Sequence, residues 1–250
     1  QYQFFTEEGT LVAFNQKEEK KVDEEGNETD ETIVVFEEDE GSDSGYTLEL
    51  IDQERSVDYD NFKITTPDGR EIYFYDAGFV SEIREAEPNA DGSYDKISIF
   101  YDEELPFMID FITDGIGRKY DFVCDSETGY LSEIKCLTAD NTPIKAGTTN
   151  TDLKVSYGYD SNGNLTSVTY PDGEAVTYTY DSNGNLIKAQ NIDGYNIQYT
   201  YDSLGKVTNI SEYAGTTPGN KIYLTQLGNR QVKVVDDFSG TETYQFGKDG

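Results

Sequence analysis

The chain has 250 residues, with 19 Lys and Arg against 50 Asp and Glu, for a formal net charge of −31. So acidic a chain argues against nucleic acid and anionic membrane as partners, because both need a basic footprint. Histidine is absent, which excludes Ser-His-Asp and Cys-His nucleophile systems and His-ligated metal sites, and no apolar run reaches the roughly 18 residues of a membrane span.

The predicted elements are strands joined by tight turns. The first is Gln3-Phe-Phe5-Thr-Glu-Glu-Gly9-Thr-Leu11, read as strand, turn, strand. Gln1 is not an initiator Met, so the expectation is a piece of a longer chain. From about 15 to 45 no period is legible. Two acidic runs lie there, Asp23 to Glu31 and Glu37 to Asp43. They are expected to be solvated loops, with a disordered insertion or a weak Ca²⁺ site on clustered carboxylates left open. Residues 46–150 carry degenerate repeats. Pro67-Asp68-Gly69 precedes Tyr73-Phe-Tyr75-Asp76-Ala-Gly78-Phe-Val80, a shortened copy. Tyr101-Asp102-Glu-Glu-Leu105 reads as a copy without its Gly, and Phe122-Val-Cys124-Asp125-Ser-Glu-Thr-Gly129-Tyr-Leu131 as one lengthened by a residue.

Residues 151–250 carry the clearest repeats. Tyr157, Tyr159, Asp160, Gly163 and Leu165 return as Tyr178, Tyr180, Asp181, Gly184 and Leu186. They return again as Tyr199, Tyr201, Asp202, Gly205 and Val207, 21 residues apart both times. Pro171-Asp172-Gly173 and Ile192-Asp193-Gly194 punctuate the intervals at the same spacing. A last copy, Tyr244-Gln-Phe246-Gly-Lys-Asp-Gly250, stops before its apolar residue. The acidic excess is concentrated early: residues 1–150 have a net charge of −26 and residues 151–250 of −5.

Each repeat holds two turns and two strands. Asp at i and Gly at i+3 suit a type I turn, with the glycine able to take φ > 0 and restore hairpin twist. Pro171 supplies the fixed φ of the second turn. Glu174 to Tyr180 alternates Val176, Tyr178 and Tyr180 against Ala175, Thr177 and Thr179, which is the period of a strand. Hairpin tips are expected at Ser161–Gly163, Asp172–Gly173, Ser182–Gly184, Asp193–Gly194 and Ser203–Gly205. The return strands are less regular. Leu165/Val168, Leu186/Ala189, Val207/Ile210, Leu131/Ile134 and Val80/Ile83 are three apart, which calls for a bulge or for a sheet partly covered on both faces. Equivalent strands two apart lie roughly 9–10 Å from each other, so Tyr159, Tyr180 and Tyr201 should form a row with leucines between. Cys124 and Cys136 should not be joined, because their places along one hairpin ladder differ by roughly 16 Å against a limit near 7 Å. Cys124 stands where the motif has Tyr and should be buried.

YxYDxxGxL at a period near 21 resembles the YD repeats of bacterial Rhs proteins, including Gram-positive wall-associated proteins, the C component of insecticidal toxin complexes and the animal teneurins. That resemblance covers most of residues 45–250 and the first dozen. It implies an all-β architecture in which antiparallel hairpin repeats build a curved sheet, part of a hollow β-shell. It further implies an extracellular or wall-associated, Gram-positive setting, and a shell that encloses or presents a toxin-type C-terminal domain. The shell-closing segment of that family, with its autoproteolytic aspartate pair, is not visible here.

Other candidate chemistry is weak. Asp160 and Asp181 open D-x-N-x-N stretches of Ca²⁺-loop type, but Leu165 and Leu186 stand where Gly belongs, and Pro171 and Ile192 where the bidentate Glu belongs. Asp43-Ser44-Gly45 is the triplet of aspartic-protease carboxylates. Asp58/Asp60, Asp102/Glu103/Glu104 and Asp236/Asp237 would serve a glycosidase only if two faced one cleft. No catalytic residue, cofactor or metal ligand is therefore assigned. The reading is a non-catalytic structural segment whose partner is the rest of its own parent chain, with weak homodimerisation left open. A surface for adhesion or glycan binding through exposed tyrosines is the alternative.

Overall fold

The computed structural model describes all residues except 7–8, 24, 40–42, 52–59, 76, 106, 148–149, 229, 239 and 248–250. Every described regular element is a strand, and every pairing is antiparallel. The chain divides into two compact units, Gln1–Asp121 with Leu137–Thr142, and Phe122–Cys136 with Pro143–Gly250.

The first unit opens with β1 (Tyr2–Phe5), β2 (Leu11–Val22) and β3 (Glu28–Glu38), which form a three-stranded sheet in that order. A meander follows: β4 (Thr47–Leu50), β5 (Asp60–Thr65), β6 (Glu71–Tyr75), β7 (Val80–Pro88), β8 (Tyr94–Tyr101) and β9 (Ile109–Thr113), each paired with the next. β10 (Lys119–Cys124) pairs with β9 through Lys119, Tyr120 and Asp121. The core lies between sheet and meander. Val12 and Phe14 of β2 meet Leu48 and Ile64, all buried, with Phe4, Phe36, Phe62 and Phe74 packed around them. Tyr2 lies edge-on to Phe36, ring centroids 5.1 Å apart.

The stretch expected to be irregular thus contains a long hairpin. β2 and β3 pair from Phe14↔Glu38 to Lys20↔Thr32 and again at Val22↔Glu28. Of the two acidic runs, the first holds a turn closed by Asp23 N–H on Asn27 O and Gly26 N–H on Asp23 O, and Glu28–Glu31 and Glu37–Glu38 lie in β3. Disorder does not describe these strands. Their alternation was hidden because Lys17 and Lys21 pair with carboxylates and Lys20 with the Asp30 carbonyl, instead of apolar residues facing a core.

The second unit has β11 (Leu131–Leu137), the short pair β12 (Lys145–Ala146) and β13 (Thr151–Asp152), then β14 (Lys154–Tyr159), β15 (Leu165–Thr169), β16 (Ala175–Tyr180) and β17 (Leu186–Gln190). β18 (Tyr195–Tyr201), β19 (Val207–Ala214), β20 (Thr217–Gly228), β21 (Gln231–Asp236) and β22 (Thr241–Gln245) complete it. β11 pairs with β14, and β14 to β22 form one meander. All five expected tips fall in turns. Cys124 and Cys136 are free thiols, but Cys136 is the buried one and Cys124 only half-buried.

Candidate functional site

The repeating hairpin is the candidate site, and its construction starts at the aspartate. Asp160 Oδ1 accepts the backbone N–H groups of Asn162 (2.8 Å) and Asn164 (2.9 Å), while Oδ2 accepts Asn164 Nδ2 (3.0 Å). Asp181 repeats these bonds with Asn183 and Asn185, and Asp202 repeats the backbone pair with Leu204 and Lys206. Such bonds favour the ionised form. The Asn164 and Asn185 side chains foremost, and the Lys206 backbone N–H for Asp202, hold these carboxyls below the usual Asp range. The D-x-N-x-N segments therefore close turns with oxygens that a cation would need. Gly163 and Gly184 complete them at φ 83° and 81°, in the left-handed region, and Gly205 does the same in the third copy.

The bulge resolves the odd spacing. Tyr159 pairs with Leu165, but Gly158 pairs with Ser167, so Thr166 is the extra residue. Ile187 and Thr208 are the extra residues of the next two hairpins. One inserted residue turns a spacing of three into a spacing that keeps one face. Leu165 and Val168 consequently share the face of Tyr159 and Tyr157, and Tyr178, Ala189 and Ile197 align across three strands.

The second tyrosine of each clear motif copy then links its hairpin to the one before. The ladder between β15 and β16 ends at Ser167↔Thr177. Leu165, two residues further on, offers its carbonyl to the Tyr180 hydroxyl at 2.9 Å. Tyr201 donates to Leu186 O at 2.6 Å, where the β17–β18 ladder has stopped at Lys188↔Gln198. Tyr159 donates to Leu131 O at 3.0 Å, two residues beyond Glu133↔Ser156. In the first unit, Tyr101 donates to Val80 O at 2.9 Å, two residues beyond Glu82↔Ser98. The phenol is apolar along its body and polar at its tip. It fills the gap where neighbouring hairpins stop pairing and satisfies the carbonyl exposed there. Burial raises the phenols of Tyr101, Tyr159 and Tyr201 above their ordinary value. The remaining motif tyrosines, Tyr157, Tyr178 and Tyr199, pair across strands with Val168, Ala189 and Ile210, and Tyr201 pairs with Val207.

Two degenerate copies fall differently from the sequence reading. In the shortened copy the turn runs from Tyr75 to Phe79, and Phe74 pairs with Val80. Phe74 therefore takes the place of Tyr159, one residue earlier than the YxYD spelling implies; Asp76 lies outside the described residues. Next to Tyr101, Leu105 is not the return residue. It sits in the turn, 45% exposed, and Ile109 pairs with Tyr101. The turn is longer than the repeat allows.

The carboxylates do not gather into a cleft. Asp102 accepts the N–H groups of Glu104 and Leu105, and Asp236 those of Phe238 and Gly240. Asp43 is exposed, and the adjacent Ser44 N–H donates to the Glu38 carboxylate. Asp58 and the Asp60 side chain lie outside the described residues. A charged network forms on the first unit's meander, and Glu133 bridges Lys135 and Lys154 in the second unit. Lys63 bridges Glu49 (3.3 Å) and Glu71 (3.1 Å), Arg84 holds Glu82 (2.7 Å), and Lys96 reaches Glu82 (2.6 Å). The Tyr73 hydroxyl, bonded to Glu71, is pushed to about 12 by burial first and by that carboxylate second. The Tyr73 bond and Lys63 hold Glu71 below the usual range, and Lys96 and Arg84 do so for Glu82 against its desolvation. Among the described residues every resolved carboxylate shift runs downward. Among the described residues no group of three potential metal ligands exists. The second unit has a groove of about 530 Å³ beside Tyr178, Ala189, Tyr195 and Ile197, and its lining holds one carboxylate, Glu212.

Fold and site define a protein of tandem antiparallel hairpins, of which those tipped at Gly163, Gly184 and Gly205 are each locked by an Asp turn, a bulge and a tyrosine link. The RHS Repeat family profile matches residues 159–195 and 180–217, so that stretch carries RHS repeats. No curated protein matches it. Among solved structures it is similar to the crystal structure of TcdB2-TccC3-Cdc42, at 18% identity and TM-score 0.49, covering 93% of this chain and 12% of that one. The crystal structure of TcdB2-TccC3-TEV gives 18% identity and TM-score 0.43, covering 77% of this chain and 12% of the other. A Photorhabdus luminescens Tc holotoxin pore with a TccC3 mutation gives 13% and 0.37, covering 96% and 14%. The chain spans about an eighth of the length of those chains.

Proposed function

We propose that the chain is a non-catalytic stretch of wall in a larger extracellular Rhs-type shell, which encloses or presents a C-terminal toxin-type domain of the same polypeptide. The observation that carries this reading is the tyrosine-to-carbonyl link. At Tyr101, Tyr159, Tyr180 and Tyr201 it joins a hairpin to the preceding one and commits those hydroxyls to backbone carbonyls. A device of this kind extends with every added repeat and needs only its neighbours. Adhesion or glycan binding through the motif tyrosines is less well supported, since Tyr159, Tyr180 and Tyr201 have committed their hydroxyls to backbone. Proteinase digestion of the intact parent polypeptide tests the proposal. A shell yields a fragment beyond the repeats that resists digestion until denaturant opens the wall. Equal digestion with and without denaturant would contradict it.

A further inference from the structure

Asn precedes Gly at two places in the chain, Asn162-Gly163 and Asn183-Gly184, and both are hairpin tips. In such a pair the side-chain amide carbon stands next to a backbone nitrogen that no side chain shields. Ring closure between them needs the nitrogen to swing onto the amide carbon, so the rate depends on how freely the tip opens. At rest the two tips are held alike. The Gly163 N–H donates to Asp160 O and the Gly184 N–H to Asp181 O, each at 3.1 Å. Asp160 and Asp181 Oδ1 accept the Asn162 and Asn183 N–H groups at 2.8 and 2.9 Å. The third tip has Leu204 before Gly205 and lacks the amide.

The surroundings separate the two. Gly163 is half-buried beside Tyr130, whose Cζ lies 2.9 Å from the point a Cβ would take and whose ring packs 5.0 Å from that of Tyr159. Gly184 is exposed, with nothing within 4 Å of the equivalent point, and Asn183 is exposed too. We propose that Asn183 is a site of spontaneous self-modification, converted to aspartate and isoaspartate, while Tyr130 shields Asn162 from the same reaction. The Gly184 nitrogen gives up its proton to hydroxide and attacks Asn183 Cγ. The new Cγ–N bond forms, the bond to Nδ2 breaks, and Nδ2 leaves as ammonia with a proton from water. Water then opens the cyclic imide, at Cγ to give aspartate or at the backbone carbonyl to give isoaspartate. Aspartate adds a carboxylate to a cleft of about 550 Å³ that Asn183 lines together with Asp181 and Asp202, where like charges repel. Isoaspartate inserts a methylene between the N–H groups of residues 183 and 185, which Asp181 Oδ1 gathers. The turn then loses the geometry that sets Tyr180 opposite Leu186, and Leu186 O is the acceptor for Tyr201. Damage at one tip thus reaches the link to the next hairpin.

The test holds the 250-residue chain at mildly alkaline pH and follows both sites over time by peptide mapping with mass spectrometry. Methyl transfer by isoaspartyl methyltransferase separates isoaspartate from aspartate. In the folded chain Asn183 converts about fivefold faster than Asn162, the factor expected if the Tyr130 packing must be broken first. In concentrated urea the two convert at equal rates, because Asp-Ser-Asn-Gly-Asn-Leu is common to both. Tyr130→Ala raises Asn162 to the Asn183 rate; should that variant fail to fold, the comparison of folded and urea-unfolded chain decides. Equal rates in the folded chain, faster conversion at Asn162, or conversion of Asn183 in urea alone would overturn the proposal.

Discussion

Removing one tyrosine hydroxyl tests the link between repeats. Tyr180→Phe leaves the ring in place and deletes the donor to Leu165 O, 2.9 Å away. That carbonyl lies two residues past the end of its ladder, so no strand partner replaces the bond. A hydrogen bond of this kind contributes about 1 kcal/mol net, and more if the carbonyl is left dry. Leu165 is half-buried, so water reaches the site and the lower figure applies. With a urea slope of about 2.5 kcal/mol per molar, the unfolding midpoint falls by about 0.4 M. Tyr195→Phe is the control, because Tyr195 is 59% exposed and its hydroxyl has no hydrogen-bond partner among the described residues; its midpoint stays within error. The assay is urea unfolding by far-UV circular dichroism, with amide exchange in β15 and β16 to localise the loss. If Tyr180→Phe and Tyr195→Phe unfold together, the hydroxyl does not couple the hairpins.

Gly163 and Gly184 share a left-handed φ but not a neighbourhood. A Cβ on Gly163 would lie 2.9 Å from Tyr130 Cζ, whereas one on Gly184 meets nothing. Gly184→Ala should cost about 1–2 kcal/mol for the backbone alone. Gly163→Ala should cost about 1 kcal/mol more, through displacement of Tyr130 from Tyr159, whose rings sit 5.0 Å apart; thermal unfolding ranks the two. The depressed Asp160, Asp181 and Asp202 carboxyls give stability that is present above the unfolded Asp value, near 3.9, and is lost as pH falls through their lower folded values. An acid titration followed by circular dichroism should therefore show the repeats loosening below about pH 4. At the other extreme, the raised phenols of Tyr101, Tyr159 and Tyr201 give stability that is complete below about pH 10 and is lost as pH rises through their folded values. Absorbance at alkaline pH should show these phenols ionising together with unfolding. Without reductant, the denatured chain should titrate two thiols, Cys124 and Cys136.

The hairpins were legible because turn chemistry is local. Asp181 and Gly184 fix a tip wherever they stand, and alternation around Tyr178 fixes the strand. The bulge was half legible: Leu165 and Val168 at odd spacing announced an irregularity, but only the pairing of Gly158 with Ser167 shows which kind. The tyrosine link was not legible, since it depends on where one ladder ends relative to the next hairpin, a property of three strands together. Leu105 misled because a motif letter two residues early resembles a truncated copy, while the longer turn to Ile109 carries no glycine to mark it. The β2–β3 hairpin was missed because its exposed half alternates charge with charge, so period two leaves no hydropathic trace.

The central claim is that these hairpins are part of a wall built by further repeats. Cryo-electron microscopy of the intact parent polypeptide measures this most directly. The account predicts that residues 159–217 continue into neighbouring hairpins through the same tyrosine-to-carbonyl bonds, around an enclosed C-terminal domain. Hairpins that stand apart from any further repeats, with the tyrosine hydroxyls turned to solvent or to a bound ligand, would contradict it.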